Sequence, residues 1–262
     1  QNILLGTSAG AALTTGTDNV ALGYAALDAA DGTEEDNIAI GTNAMGAVDE
    51  NVNSGGGTNS ANWNIAIGTG ALIGGQFTDA NDGNDKNLAG NVAIGHVALT
   101  NTGVNAHTGT IAIGYGAWNT LTSGNKNTGI GYQVGKELTT GASNTVVGYN
   151  AWSDSSSLVS NYNTIIGAEA CNGDWQGSNS SSNVTVGAES MQGDMNGANY
   201  NTGVGFRNLQ ALTQGDNNVS IGHNSSLTLT TGTGNIAIGV NVMRDLDAGA
   251  NSQDSDYNTF IG

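Results

Sequence analysis

Proline is absent from this 262-residue chain and cysteine occurs once, so neither proline-fixed turns nor an intrachain disulfide can hold the fold together. Five residues are Lys or Arg (Lys86, Lys126, Lys136, Arg207, Arg244) against 22 acids, giving a net charge of −17. That balance argues against nucleic acid or an anionic membrane surface as a partner, because like charges repel. No apolar run approaches the roughly 18 residues that a membrane-spanning helix needs, so no membrane insertion is expected in this segment. Ile, Leu, Val and Phe number 51, just under a fifth of the chain, which with this charge would ordinarily indicate disorder.

Periodicity overrules that indication. The unit Asn-x-x-(Ile/Val/Leu)-Gly, as in Asn37-Ile38-Ala39-Ile40-Gly41, returns fourteen times from Asn2 to Gly262. Its closing glycines are 17 to 27 residues apart, a period that points to a solenoid whose rungs pack on their neighbours. The 42 glycines follow no Gly-X-Y pattern, which excludes collagen and suits a fold made largely of corners. Residues 1–262 read as one repeat array of about 13–14 rungs, an all-β parallel β-roll. With rungs about 4.8 Å apart it would be roughly 60 Å long. The chain begins and ends inside a motif, so it reads as a window of a longer fibrous protein.

Each position of the unit has an expected role. The residue before Gly is branched aliphatic in every copy (Ile40, Ile67, Ile94, Ile113, Ile130, Ile166 and Ile238 among them), and two residues earlier stands Ile, Val or Thr in a period-2 pattern. Both are assigned to the interior of the coil. The residue between them is small and uncharged in most copies, as in Ala39, Ala66, Ala93, Ala112, Gly129, Gly203 and Ala237. A solvated face would carry polar groups, so this one is assigned to close contact between chains. The motif Asn, present in thirteen of fourteen copies with Thr110 the exception, is expected to form a stacked hydrogen-bonding ladder through Asn37, Asn64, Asn91, Asn127, Asn144, Asn163 and Asn235. Four residues past Gly, a large apolar residue such as Leu72, Trp118, Trp152 or Met191 should build a second column.

Little chemistry is encoded. Cys171 falls in the column of large apolar residues and reads as a buried hydrophobe. His96 and His223 follow motif glycines where other rungs carry Tyr or Phe, and His107 stands alone in a spacer, so no zinc set is expected. Twenty of the 22 acids lie in the spacers, as a solvated face. Calcium is the one cofactor left open. Its candidate ligands are Asp79, Asp82 and Asp85, although Gly90 occupies the place where an EF-hand loop closes with Glu. Of four N-glycosylation sequons, those at Asn183 and Asn218 use ladder residues, leaving Asn179 and Asn224. No catalytic constellation emerges, so an enzyme is not expected.

The Asn-x-x-Ile-Gly-x-x-Ala/Ser pattern, as in Asn235-Ile236-Ala237-Ile238-Gly239 and Asn91-Val92-Ala93-Ile94-Gly95, resembles the head repeats of YadA-like trimeric autotransporter adhesins and similar repeats of phage tail fibres. The resemblance spans Asn2 to Gly262 and implies a left-handed β-roll assembled as a homotrimer. It also implies an extracellular place on a cell or virion surface, and a glycan or protein receptor. The longer, unequal spacers depart from the family. The leading expectation is a structural and adhesive fibre shaft or head. The alternatives are a self-assembling extracellular filament subunit, a tail spike that depolymerises polysaccharide, and ice binding through Thr14, Thr15, Thr228, Thr230 and Thr231.

Overall fold

The computed structural model describes residues 1–30, 34–48, 61–74, 87–102, 105–154, 159–175, 177–244 and 256–262. The chain divides into two compact units, Gln1–Ile130 and Gly131–Gly262. Each is a stack of parallel β coils, and among the described residues there is no helix. None could therefore cross a membrane as one.

The first unit contains β1 (Ile3–Leu5), β2 (Val20–Leu22), β3 (Ile38–Ile40), β4 (Ile65–Ile67), β5 (Leu88–Ala89), β6 (Val92–Ile94), β7 (His107–Thr108), β8 (Ile111–Ile113) and β9 (Thr128–Ile130). Its main sheet runs β1-β2-β3-β4-β6-β8-β9, and β5 pairs with β7 at a second face of the coil. The second unit contains β10 (Thr145–Val147), β11 (Thr164–Ile166), β12 (Val184–Val186), β13 (Thr202–Val204), β14 (Val219–Ile221), β15 (Ile236–Ile238) and β16 (Thr259–Ile261), paired in that order. Every pairing puts like motif positions together, as in Ile65↔Val92, Ala66↔Ala93 and Ile67↔Ile94. A 27-residue spacing and a 17-residue one thus give the same register.

The corners depend on backbone that few residues tolerate. Gly95 has φ +137°, and a Cβ there would stand 2.3 Å from the carbonyl oxygen of Gly114 on the next rung. A side chain would force the rungs apart. Two and four residues after the motif glycine the chain turns left-handed again, at Val97 (φ 50°) and Leu99 (φ 49°), for example. This costs about 1–2 kcal/mol for each non-glycine residue. The hydrogen bonds these turns make offset that cost. Val97 N–H donates back to Thr69 O at 3.0 Å, and Leu99 N–H donates forward to Ala117 O at 2.9 Å, so each corner is tied to both neighbours.

The interior reverses one expectation. Ala39, Ala66, Ala93, Ala112 and Ala237 are fully buried within their own coil, and Gly129 and Gly203 are buried there too. Ile40, Ile67, Ile94, Ile113 and Ile238 are only half-buried, and Ile130 and Ile166 are 40% and 38% exposed. The small residues therefore point inward and the branched ones outward, so the former are not an interchain face and the latter are not the core. The coil is too narrow for the opposite arrangement. Its volume is taken by the large column, in which Leu72, Leu99, Trp118, Trp152, Cys171 and Met191 are all fully buried. A Cβ on Gly129 would lie 2.3 Å from the Trp118 indole nitrogen, and one on Gly203 would lie 2.9 Å from Met191 Cε. Large residues in one column demand small ones in the other.

Candidate interaction surface

Two hydrogen-bond ladders hold the strand face in register. In the first, the motif Asn backbone N–H and side-chain amide both donate to the Asn Oδ1 of the preceding rung. Asn64 reaches Asn37 Oδ1 at 3.0 and 3.1 Å, and Asn91 reaches Asn64 Oδ1 at 3.1 and 3.0 Å. The same amide then donates to a spacer carbonyl, Leu88 O for Asn64 and His107 O for Asn91. In the second unit Asn163 bonds in this way to Asn144, and Asn235 to Asn218. Asn127 is likewise fully buried. Thr110 accepts the place of an Asn through its N–H, 2.9 Å from Asn91 Oδ1, but its own Oγ1 is buried without a hydrogen-bond partner.

The second ladder escaped sequence reasoning. Two residues before the motif Asn, a short polar side chain accepts the backbone N–H of the rung before it. In the second unit the acceptors run Asn161, Ser181, Asn199, Asp216, Thr233 and Asp256, over 2.7–3.3 Å. In the first unit Asn62 and Asn125 do the same for Glu35 and Thr108. The available signal was a position held mostly by Asn, Asp, Ser or Thr. Its mixed identity hides it from a motif search, since any of these oxygens satisfies the same donor.

Between the ladders and the motif glycines the outer strand face presents two parallel columns. One runs through Val92, Ile111, Thr164, Val184 and their equivalents, the other through Ile94, Ile113, Ile166 and Val186. No charged side chain occurs in either column. Beside them, after the motif glycine, rings stack rung upon rung: His96 on Tyr115 at 5.4 Å, Tyr132 on Tyr149 at 5.4 Å, and Phe206 on His223 at 5.7 Å. Arg207 lies 4.9 Å over Phe206 and donates to Glu189 Oε2 at 2.6 Å.

Among the described residues, the buried titratable side chains of Cys171 and His107 stand apart from the ladders and the ribbon. Burial pushes the Cys171 thiol up to about 12, and its sulfur lies 3.4 Å from Thr185 Oγ1. Burial also holds His107 below the ordinary imidazole value. The calcium candidates Asp79, Asp82 and Asp85 lie outside the described residues. Among the described residues no group of three or more His, Cys, Asp or Glu could hold a metal ion. Compared with known proteins, the chain matches no family model, no curated protein and no solved structure. Its surface has to be read from its own geometry.

Proposed function

We propose that this chain is a structural and adhesive segment of a surface fibre, working as a homotrimer of left-handed β-rolls outside a cell or on a virion. The observation that carries the reading is the uncharged ribbon of branched side chains on the outer strand face. In each unit it runs over seven strands, with an aliphatic residue before every motif Gly and Ile, Val or Thr two residues earlier, more than the scattered apolar residues of an ordinary surface. The occupant it fits is a second and third copy of the same chain. Each copy repeats its branched residues at the same rung spacing, so identical ribbons interdigitate rung for rung, and an uncharged face lets chains of net charge −17 approach one another. The in-phase Asn-x-x-Ile-Gly copies support the trimer in particular. Attachment would then come from repeated weak contacts made multivalent by three chains.

The test separates ribbon from core. Ile67→Glu combined with Ile94→Glu should leave a folded coil of monomer mass by light scattering, whereas the unaltered chain should scatter as a trimer. Ala66→Glu should instead unfold the coil, because that position is fully buried. A stable monomer of the unaltered chain would refute the proposed assembly.

A further inference from the structure

The corner immediately before the motif Asn carries a feature that neither scaffold nor ribbon uses. In the first unit this column holds Trp63, Gly90, Gly109 and Lys126 on successive rungs. All four are left-handed, with φ between 61° and 66°, so they project from the coil at the same angle. Each is fixed by a hydrogen bond from its own N–H to the preceding rung: Trp63 to Glu35 O at 3.1 Å, Gly90 to Asn62 O at 3.1 Å, Gly109 to Ala89 O at 3.0 Å and Lys126 to Thr108 O at 2.9 Å. The pairing of β5 with β7 braces the two middle rungs.

Side chains on this column lean toward the rung before them. The indole of Trp63, 64% exposed, leans toward Asp36, and its Nε1–H donates to Asp36 Oδ2 at 3.2 Å. The stem of Lys126 leans back until its Cγ lies 4.0 Å from where a Cβ of Gly109 would be. Between them Gly90 is open, and a Cβ built there would meet nothing within 4 Å. The result is a notch three rung steps high, roughly 14 Å, with glycine backbone as its floor. One end is an indole held in place by a carboxylate. The other is an exposed ammonium that forms no ion pair among the described residues.

We propose that this notch binds a neutral glycan segment about two to three hexose units long. An exposed, hydrogen-bonded indole offers a flat apolar surface to the C–H face of a pyranose ring. Asp36, behind the indole, fixes its orientation, and at the other end of the notch Lys126 donates to hydroxyl or ring oxygens. Glycine at two successive rungs removes the side chains that would keep the ring away. Charge decides between neutral and acidic sugars: a single lysine at one end, on a chain of net charge −17, does not offset the repulsion of a polyanionic glycan. The site gives the adhesive half of the proposed function a ligand class and rests on that reading. It lies within one chain, so its binding can be measured whatever the oligomeric state.

Tryptophan emission provides the readout. Trp118, Trp152 and Trp175 are fully buried, leaving Trp63 as the exposed indole. Glucose oligomers of two to six units should shift the exposed-indole emission saturably, and galacturonate oligomers of the same lengths should not. By calorimetry, Trp63→Ala should weaken binding about tenfold or more, and Lys126→Ala a fewfold. Gly90→Asn keeps the left-handed backbone, which Asn tolerates, and fills the notch, so it should abolish binding while circular dichroism is unchanged. No emission shift with any neutral oligomer, binding of galacturonate alone, or undiminished binding by Trp63→Ala or Gly90→Asn would each overturn the proposal. A trimer that ignores sugar would refute only the notch, and a sugar-binding monomer only the trimer.

Discussion

Thr110 is the one place where the motif ladder changes chemistry, and its hydroxyl is buried without a partner. Thr110→Asn would direct an amide to Asn91 Oδ1, as in the rungs below. It should stabilise the protein by about 1 kcal/mol in denaturant titration, the net worth of one hydrogen bond with an orphan removed. Val97 is a second local conflict, a β-branched residue in the left-handed region where equivalent rungs carry Asn43, Asn150 and Asn241. His107 is the third. Its imidazole is fully buried, and Leu88 on the rung below holds the same inward position. The carbonyls of Thr122 and Gly124 favour its protonation, but desolvation outweighs them and keeps it neutral. Unfolded chains take up this proton as pH falls through about 6.5, the folded chain only at lower pH. In that window the unfolded state binds more protons, so stability falls on acidification. Melting temperature should drop between pH 7 and pH 5, and His107→Leu should reduce the drop. An unchanged drop would assign the acid sensitivity to other groups.

A strand here is two or three residues long and has no stability of its own; it exists because neighbouring rungs complete its hydrogen bonds. What distinguishes one rung from the next is the match between the inward small residue and the large residue of the rung before it. Trp118 and Gly129 are the sharpest pair. Gly129→Ala should cost roughly 1–3 kcal/mol by overpacking, read from the denaturant midpoint. Adding Trp118→Leu should recover much of that loss, and a double-mutant cycle without coupling would contradict the packing described above. The spacing of the motif made strand positions and register legible from the sequence. It could not say which face was inside, because alternation separates two faces without ranking them. The usual preference for large residues inside misleads in a coil this narrow, where Trp118, Leu99 and Met191 already fill the space.

At the scale of the whole molecule, acidity and the apolar ribbon oppose one another. Three chains of charge −17 brought side by side repel through their acidic spacers, while burying uncharged side chains favours contact. The proposed trimer should therefore strengthen with salt over the range in which the screening length shrinks from about 30 Å at 0.01 M to about 8 Å at 0.15 M. Sedimentation at those two ionic strengths checks this, and an assembly weakened by salt would point to ion pairs instead of the ribbon. Thiol labelling adds a measure of closure. Cys171 should resist reagents in the folded protein and react fully on unfolding, since burial keeps it protonated.

The sequence by itself determined the repeat, the all-β class, the parallel register and the positions of the Asn ladder, because each depends on local backbone chemistry repeated at every rung. Tertiary structure decided the rest. It turned Ala66 and Ala93 inward and Ile67 and Ile94 outward, since only the closed coil sets the interior volume. It showed that Asn161, Ser181, Asn199 and Asp216 form one ladder, since unlike residues share a role only when stacked. It also brought Trp63, Gly90 and Lys126 together at one corner, although insertions of unequal length separate them along the chain.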